Sequence, residues 1–137
     1  MFKWQEAYSC NIKEIDMQHQ KLFELGRKLN ELISLQDEFD HYDEIMNILT
    51  QLKEYTIYHF GYEEKLMDKY QFDGLQKHQK EHIAFVDQLS VFFKKNIDEN
   101  QRKVEMDMIL FIANWIEKHI LQTDHAYKGY LNLKGVF

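Results

Sequence analysis

Residues 15–33 read IDMQHQKLFELGRKLNELI, and within them Ile15, His19, Leu22, Gly26, Leu29 and Ile33 recur at alternating steps of four and three. That interval is the period of one face of a packed α-helix, so the segment predicts an amphipathic helix with Asp16 as its cap. Outward from it the same rhythm returns three times. Beyond the carboxylate-dense residues 37–43, Ile45, Ile48, Leu52, Tyr55, His59, Tyr62 or Glu63, and Leu66 resume helical spacing. Asp73-Gly74-Leu75-Gln76 has the form of a capping box, since an acid and a glutamine three residues on can satisfy each other's free N–H groups. It opens a third helix carrying Leu75, His78, His82, Phe85, Leu89 and Phe92. A polar stretch at 96–101 interrupts, and Met108, Ile112, Trp115, Ile116 and His119 mark a fourth. The expected helices are therefore 16–36, 41–70, 74–95 and 102–124. Short connections between long helices favour antiparallel neighbours. The expected fold is all-α, an up-down-up-down antiparallel four-helix bundle with residues 1–14 and 125–137 as flanking arms, and one domain spanning 1–137.

Composition agrees with this class. The 137 residues include no proline, 45% are hydrophobic and 15% aromatic, so long helices meet no obligatory break. A net charge of -6 without a basic run argues against nucleic acid as a partner. Cys10 is the only cysteine, which excludes an intrachain disulfide, a CxxC zinc or redox motif and a CxxCH haem attachment. No signal-like segment opens the chain and no stretch approaches membrane-spanning length. The expectation is a cytoplasmic protein with no membrane partner.

The chemistry falls on the inward stripes. His19, His59, His78, His82 and His119 all lie there, and each of the four helices supplies at least one. A single histidine on an apolar stripe is ordinarily a hydrogen-bonded core residue. Five buried imidazoles without a shared partner would leave many unpaired nitrogens, each costing ~1–3 kcal/mol, whereas a metal satisfies one nitrogen of every ring at once. His59 and Glu63 are four apart, as are His78 and His82, so each pair stacks on one helix face and can grip one metal or bridge two. His119 and Asp124 are five apart, a rotation of about 140° on an ideal helix, so the fourth helix is expected to widen or end there if both are to reach one site. Imidazole and carboxylate without thiolate suit iron and disfavour iron–sulfur clusters and closed thiolate zinc sites. Five nitrogens, two bridging carboxylates and a bridging oxygen fill all but one position of two octahedral irons. The vacancy falls on the iron with only two histidines. Two ferrous ions, two carboxylates and a hydroxide sum to a single positive charge, tolerable in a dry core.

The order of these motifs, a His on the first helix, then HxxxE, HxxxH and HxxxxD, resembles the hemerythrin family along nearly the whole chain. The segments are Ile15-Asp16-Met17-Gln18-His19, His59-Phe60-Gly61-Tyr62-Glu63-Glu64, His78-Gln79-Lys80-Glu81-His82 and residues 115–124. Trp4, Tyr127, Leu131 and Gly135-Val136 resemble the single-domain bacterial members, the bacteriohemerythrins. The resemblance implies His78, His82 and His119 on one iron, His19 and His59 on the other, and Glu63 and Asp124 bridging. The cofactor is then two iron ions, cycling between Fe2+ and Fe3+, with an oxo or hydroxo bridge and no haem. Dioxygen is expected at the two-histidine iron.

Other residues have plainer readings. His41 and His125 are expected to be solvated, Glu64 to be a surface charge about 100° from Glu63, and Cys10 a spare thiol. Phe60, Tyr62, Trp115, Ile116 and Ile120 could wall an oxygen pocket, though such residues at helical spacing usually just pack a core. Ile116, one turn before His119, is the foremost pocket candidate, with Phe60, Ile120 and Trp115 behind it. Gly26 and Gly61 lie inside helices at a cost of ~1 kcal/mol each relative to alanine.

The leading function is non-enzymatic, reversible binding of dioxygen for storage, delivery or scavenging, because no acid–base group stands ready to reduce it. A di-iron oxidoreductase, peroxidase or nitric-oxide consumer, is the alternative, although bundle enzymes usually carry a carboxylate-richer ExxH ligand set. A sensor module for oxygen or redox state is the third. Any of these leaves room for a protein that accepts oxygen or exchanges electrons.

Overall fold

Four long helices carry the fold in the computed structural model, which describes residues 1–35, 41–94 and 101–137. They are α1 (Lys13–Ile33), α2 (Tyr42–Lys69), α3 (Leu75–Lys94) and α4 (Gln101–Lys118). A 3-10 turn (Glu6–Tyr8) precedes α1, and α4 runs on through a π-helical segment (His119–Asp124) into α5 (His125–Leu133). Among the described residues there is no strand, and no helix is long and apolar enough to cross a membrane. The expected helix ends at Gln36 and Lys95, and most of both polar connections, lie outside the described residues.

The starts of α1 and α3 differ from expectation for a local reason. Asp16 N donates to Ile12 O at 2.9 Å, so Ile12 takes the cap position and α1 begins three residues early. The Asp16 carboxylate is engaged elsewhere, accepting Cys10 N at 2.8 Å and Ser9 Oγ at 2.5 Å. It ties the N-terminal arm to the helix. In α3, His78 N donates to Gly74 O at 3.0 Å, which gives the cap position to Gly74 rather than Asp73. The arm also explains Gly26, where a Cβ would stand 2.4 Å from the Phe2 ring. At Gly61 a Cβ would meet nothing within 4 Å.

α1 packs against α2 and α4, and α3 against α2 and α4. His19 lies early in α1, His59 late in α2, His78 early in α3 and His119 just past α4, yet all four meet at one level. Successive helices therefore run in opposite directions, and the up-down-up-down bundle is the observed architecture. Its main core joins Leu22 and Leu29 of α1 to Leu49 and Leu52 of α2, Phe85 and Leu89 of α3, and Ile109 and Ile112 of α4. Burying each such side chain contributes about 1.5–3 kcal/mol. A second apolar cluster closes the histidine end: Cys10 and Ile12 from the arm, Ile15, Met67, and Tyr127 and Leu131 from α5. The C-terminal arm is thus largely helical, and Tyr127 and Leu131, four apart, present one face to this cluster.

Candidate metal centre

Between the two apolar clusters sit His19, His59, Glu63, His78, His82, His119 and Asp124, none more than 5% exposed. Helical spacing positions most of them, since His59/Glu63 and His78/His82 each share a face. His119 and Asp124 need the π-helical segment, whose wider turn bonds residues five apart and brings Asp124 Oδ1 to 3.0 Å from His119 Nε2.

The two carboxylates divide the histidines between them. Glu63 turns Oε1 to His59 Nε2 and, at 3.5 Å, to His19 Nε2. Its Oε2 faces His78 Nε2 at 3.1 Å and His82 Nε2 at 4.0 Å. Asp124 turns Oδ2 to His19 Nε2 at 3.0 Å and Oδ1 to His78 Nε2 at 2.7 Å. Two overlapping donor sets result, Glu63, His78, His82, His119 and Asp124 on one side and His19, His59, Glu63 and Asp124 on the other. In each set the ligating atoms lie within 4.8 Å of one another.

Whether a metal pair fits can be judged from the polar atoms left over. Among the described residues both Glu63 oxygens, Asp124 Oδ2 and both ring nitrogens of His19 make no hydrogen bond of acceptable geometry, although buried. Unsatisfied buried carboxylate oxygens are expensive, and a cation removes the deficit. His82 Nε2 and His119 Nε2 stand 3.2 Å apart, roughly the separation of two nitrogens bound at right angles to one ion at about 2.1 Å. Each donor set has the residues to hold a cation.

Electrostatics carry the same demand for positive charge. Burial alone would raise the Glu63 carboxyl, but the His59 imidazole and contacts from His19, His59 and His78 hold it well below the usual range. Burial and the Glu63 charge push Asp124 upward, yet His119 and His19 hold it far below. Burial works against protonating His78, but Asp124 and Glu63 outweigh it and raise the ring to about 9. His19 is raised well above its ordinary value against the same burial, chiefly by Asp124. His82 goes the other way, lowered to about 3 by burial, with His119 and His78 adding repulsion against the pull of Glu63. Protons on His78 and His19 supply the charge a metal would bring.

Outer partners orient the rings. His59 Nδ1–H donates to Gln18 Oε1 at 2.6 Å, and Gln18 Nε2 donates onward to Glu14 at 3.0 Å. His119 Nδ1–H donates to Glu81 Oε2 at 3.1 Å and His82 Nδ1–H to Glu64 Oε2 at 3.4 Å. Such partners fix which ring nitrogen keeps its lone pair, here Nε2. Glu64 is therefore not simply a surface charge, and Gln18 and Glu81 are functional candidates that sequence reading missed. Cys10 is fully buried, its thiol lies beside His19, and burial pushes its pKa up and so disfavours the thiolate. His41 pairs with Glu44 at 3.1 Å and His125 with Tyr8 O at 3.3 Å, both away from the site.

A cavity of about 10 Å³, about the least space that admits one water-sized molecule, touches His19, His59, His119 and Asp124. Phe60, Trp115, Ile116 and Ile120 line it, with Leu22 and Phe85 completing the apolar wall. Phe60 stacks on His82 at 3.7 Å and Trp115 on His119 at 4.3 Å. Tyr62 packs instead at the α5 end. Thr56, which sequence reading passed over, also lines the cavity. The available signal was its place one turn before His59 and Phe60.

Residues 10–131 match the family model for the hemerythrin HHE cation-binding domain. A bacteriohemerythrin of Clostridium acetobutylicum is 38% identical over 127 residues, covering 93% of this chain and 98% of that one. The hemerythrin subunit alpha of Lingula anatina is 28% identical over 130 residues, 95% of each chain. A Pseudomonas aeruginosa bacteriohemerythrin is 28% identical over 90% of this chain and 77% of its own. With the family's domain running through all four helices and a relative so similar from end to end, the chain belongs to the hemerythrin HHE cation-binding family.

Proposed function

We propose that the chain binds dioxygen reversibly at a non-haem di-iron site and acts as a carrier, store or scavenger rather than an enzyme. His78, His82 and His119 would hold one iron, His19 and His59 the other, with Glu63 and Asp124 bridging. The observation that carries this reading is the division of each carboxylate, one oxygen toward each histidine set. When bound, the iron pair supplies electrons that dioxygen borrows on arrival and returns on leaving.

The chain's own residues supply the rest. The cavity touches both histidines of the two-histidine set but only one of the other three, which favours a small ligand on the His19–His59 side. Ile116, Ile120, Phe60 and Trp115 exclude the water that would protonate and strip away a reduced ligand. Beyond the metal-ligand candidates, the wall offers no carboxylic acid or imidazole to deliver a proton. Gln18, Glu64 and Glu81 hold the rings with Nε2 inward.

The test is anaerobic iron loading followed by absorption spectra through repeated cycles of oxygen and argon. The expected result is about two irons per chain, no haem, and a spectrum that returns after each cycle. One tightly held zinc, or steady oxygen consumption with added reductant, would overturn the carrier reading.

A further inference from the structure

Thr56 is 1% exposed, and its Oγ1 makes no hydrogen bond among the described residues. A threonine inside a helix usually turns its hydroxyl back to the carbonyl one turn earlier. Thr50 does so in the same helix, donating to Met46 O at 2.8 Å, and Ser90 donates to Val86 O at 2.9 Å. Thr56 does not, although leaving a buried hydroxyl unpaired opposes folding. The same residue borders the cavity beside His19 and His59, in a wall otherwise built of Leu, Phe, Trp and Ile outside the metal-ligand candidates.

We propose that the Thr56 hydroxyl is a hydrogen-bond donor to the small ligand held in this cavity, strengthening its hold on dioxygen once the bound molecule has gained negative charge and accepting power. This rests on the oxygen-binding reading above and deepens it. The hydroxyl is well suited because it shares its proton in a hydrogen bond but is too weakly acidic to surrender it. A buried hydrogen bond is also electrostatically stronger than one in water.

Thr56→Val keeps the shape and removes the donor; Thr56→Ser keeps the donor. In the metal-free chain, Thr56→Val is expected to leave the melting temperature unchanged or raise it by a few degrees, because an unpaired buried hydroxyl is lost. In the iron-loaded chain the same variant is expected to weaken oxygen affinity about tenfold, mainly through faster release, while Thr56→Ser stays within about threefold of the parent. Iron content should be equal in all three. A clear fall in the metal-free melting temperature of Thr56→Val would assign the hydroxyl a structural bond and overturn the proposal. So would an oxygen affinity of Thr56→Val within twofold of the parent. A parent chain that loads two irons and takes up no oxygen would sink the oxygen-binding reading and this proposal together, an outcome distinct from failure of the Thr56 variant alone.

Discussion

Ile116 is 3% exposed and lines the cavity one turn before His119, so its contribution to packing and its contribution to water exclusion can be separated. Ile116→Ala and Leu29→Ala should each destabilise the chain by about 2–5 kcal/mol. Only Ile116→Ala should hasten decay of the oxygenated form to ferric protein, read by stopped-flow absorbance, with iron content unchanged. Equal lifetimes would remove Ile116 from the oxygen pocket. Glu63→Ala takes away the carboxylate both histidine sets face, so bound iron should fall far more than helical circular dichroism; undiminished iron would show the bridge to be misassigned. At this scale the sequence exposed the rings and carboxylates because their spacings of four put pairs on one face. It concealed their outer partners. Glu64 does point about 100° from Glu63 on its own helix, but α3 stands in that direction and brings His82 against it. Cross-helix packing decides such contacts, and one helix's periodicity contains no record of it.

The π-helical segment and α5 act as a unit. The five-residue step from His119 to Asp124 announced a departure from regular helix, since no α-helical turn puts both on one face. What the step did not announce was that the helix would resume. The reason is Tyr127 and Leu131, which cap the histidine end with apolar surface once the wide turn has rotated them inward. Tyr127 is 1% exposed and its ring lies 5.6 Å from that of His78, so Tyr127→Ala should cost about 3–5 kcal/mol in urea unfolding. Leu133, 90% exposed on the same helix, should tolerate alanine within about 0.5 kcal/mol. Similar losses at both positions would mean that α5 does not dock as described.

Across the whole molecule the site sets the response to pH. In the metal-free chain His78 rises from its ordinary 6.5 to about 9, so its contribution to stability is complete below pH 6.5 and is lost as pH climbs toward 9. His82 falls from 6.5 to about 3, so it penalises folding increasingly as pH drops through that interval. Glu63 and Asp124, both depressed, add a further loss in stronger acid, below their ordinary values near 4. Urea midpoints of the metal-free chain should therefore peak near pH 6.5. Metal requires neutral rings, so loading at neutral pH should release protons from His78 and His19, and the alkaline limb should vanish in the loaded chain. Identical alkaline limbs with and without metal would contradict this exchange of protons for cations. The bundle was legible because four stripes of period three and four leave few other ways to bury their faces. The level at which the stripes meet was not, because it depends on how the helices slide against one another.

The alternation of helix direction also bears on when the centre can form during synthesis. Each donor set includes Asp124, the last of the seven to leave the ribosome, and Glu63, made much earlier. Neither set is complete in a nascent chain that has produced only three helices, however many imidazoles it already carries. With the proposed ligands, metal capture would wait until the bundle can close around it, because partial chains lack the Asp124 carboxylate that both sets share.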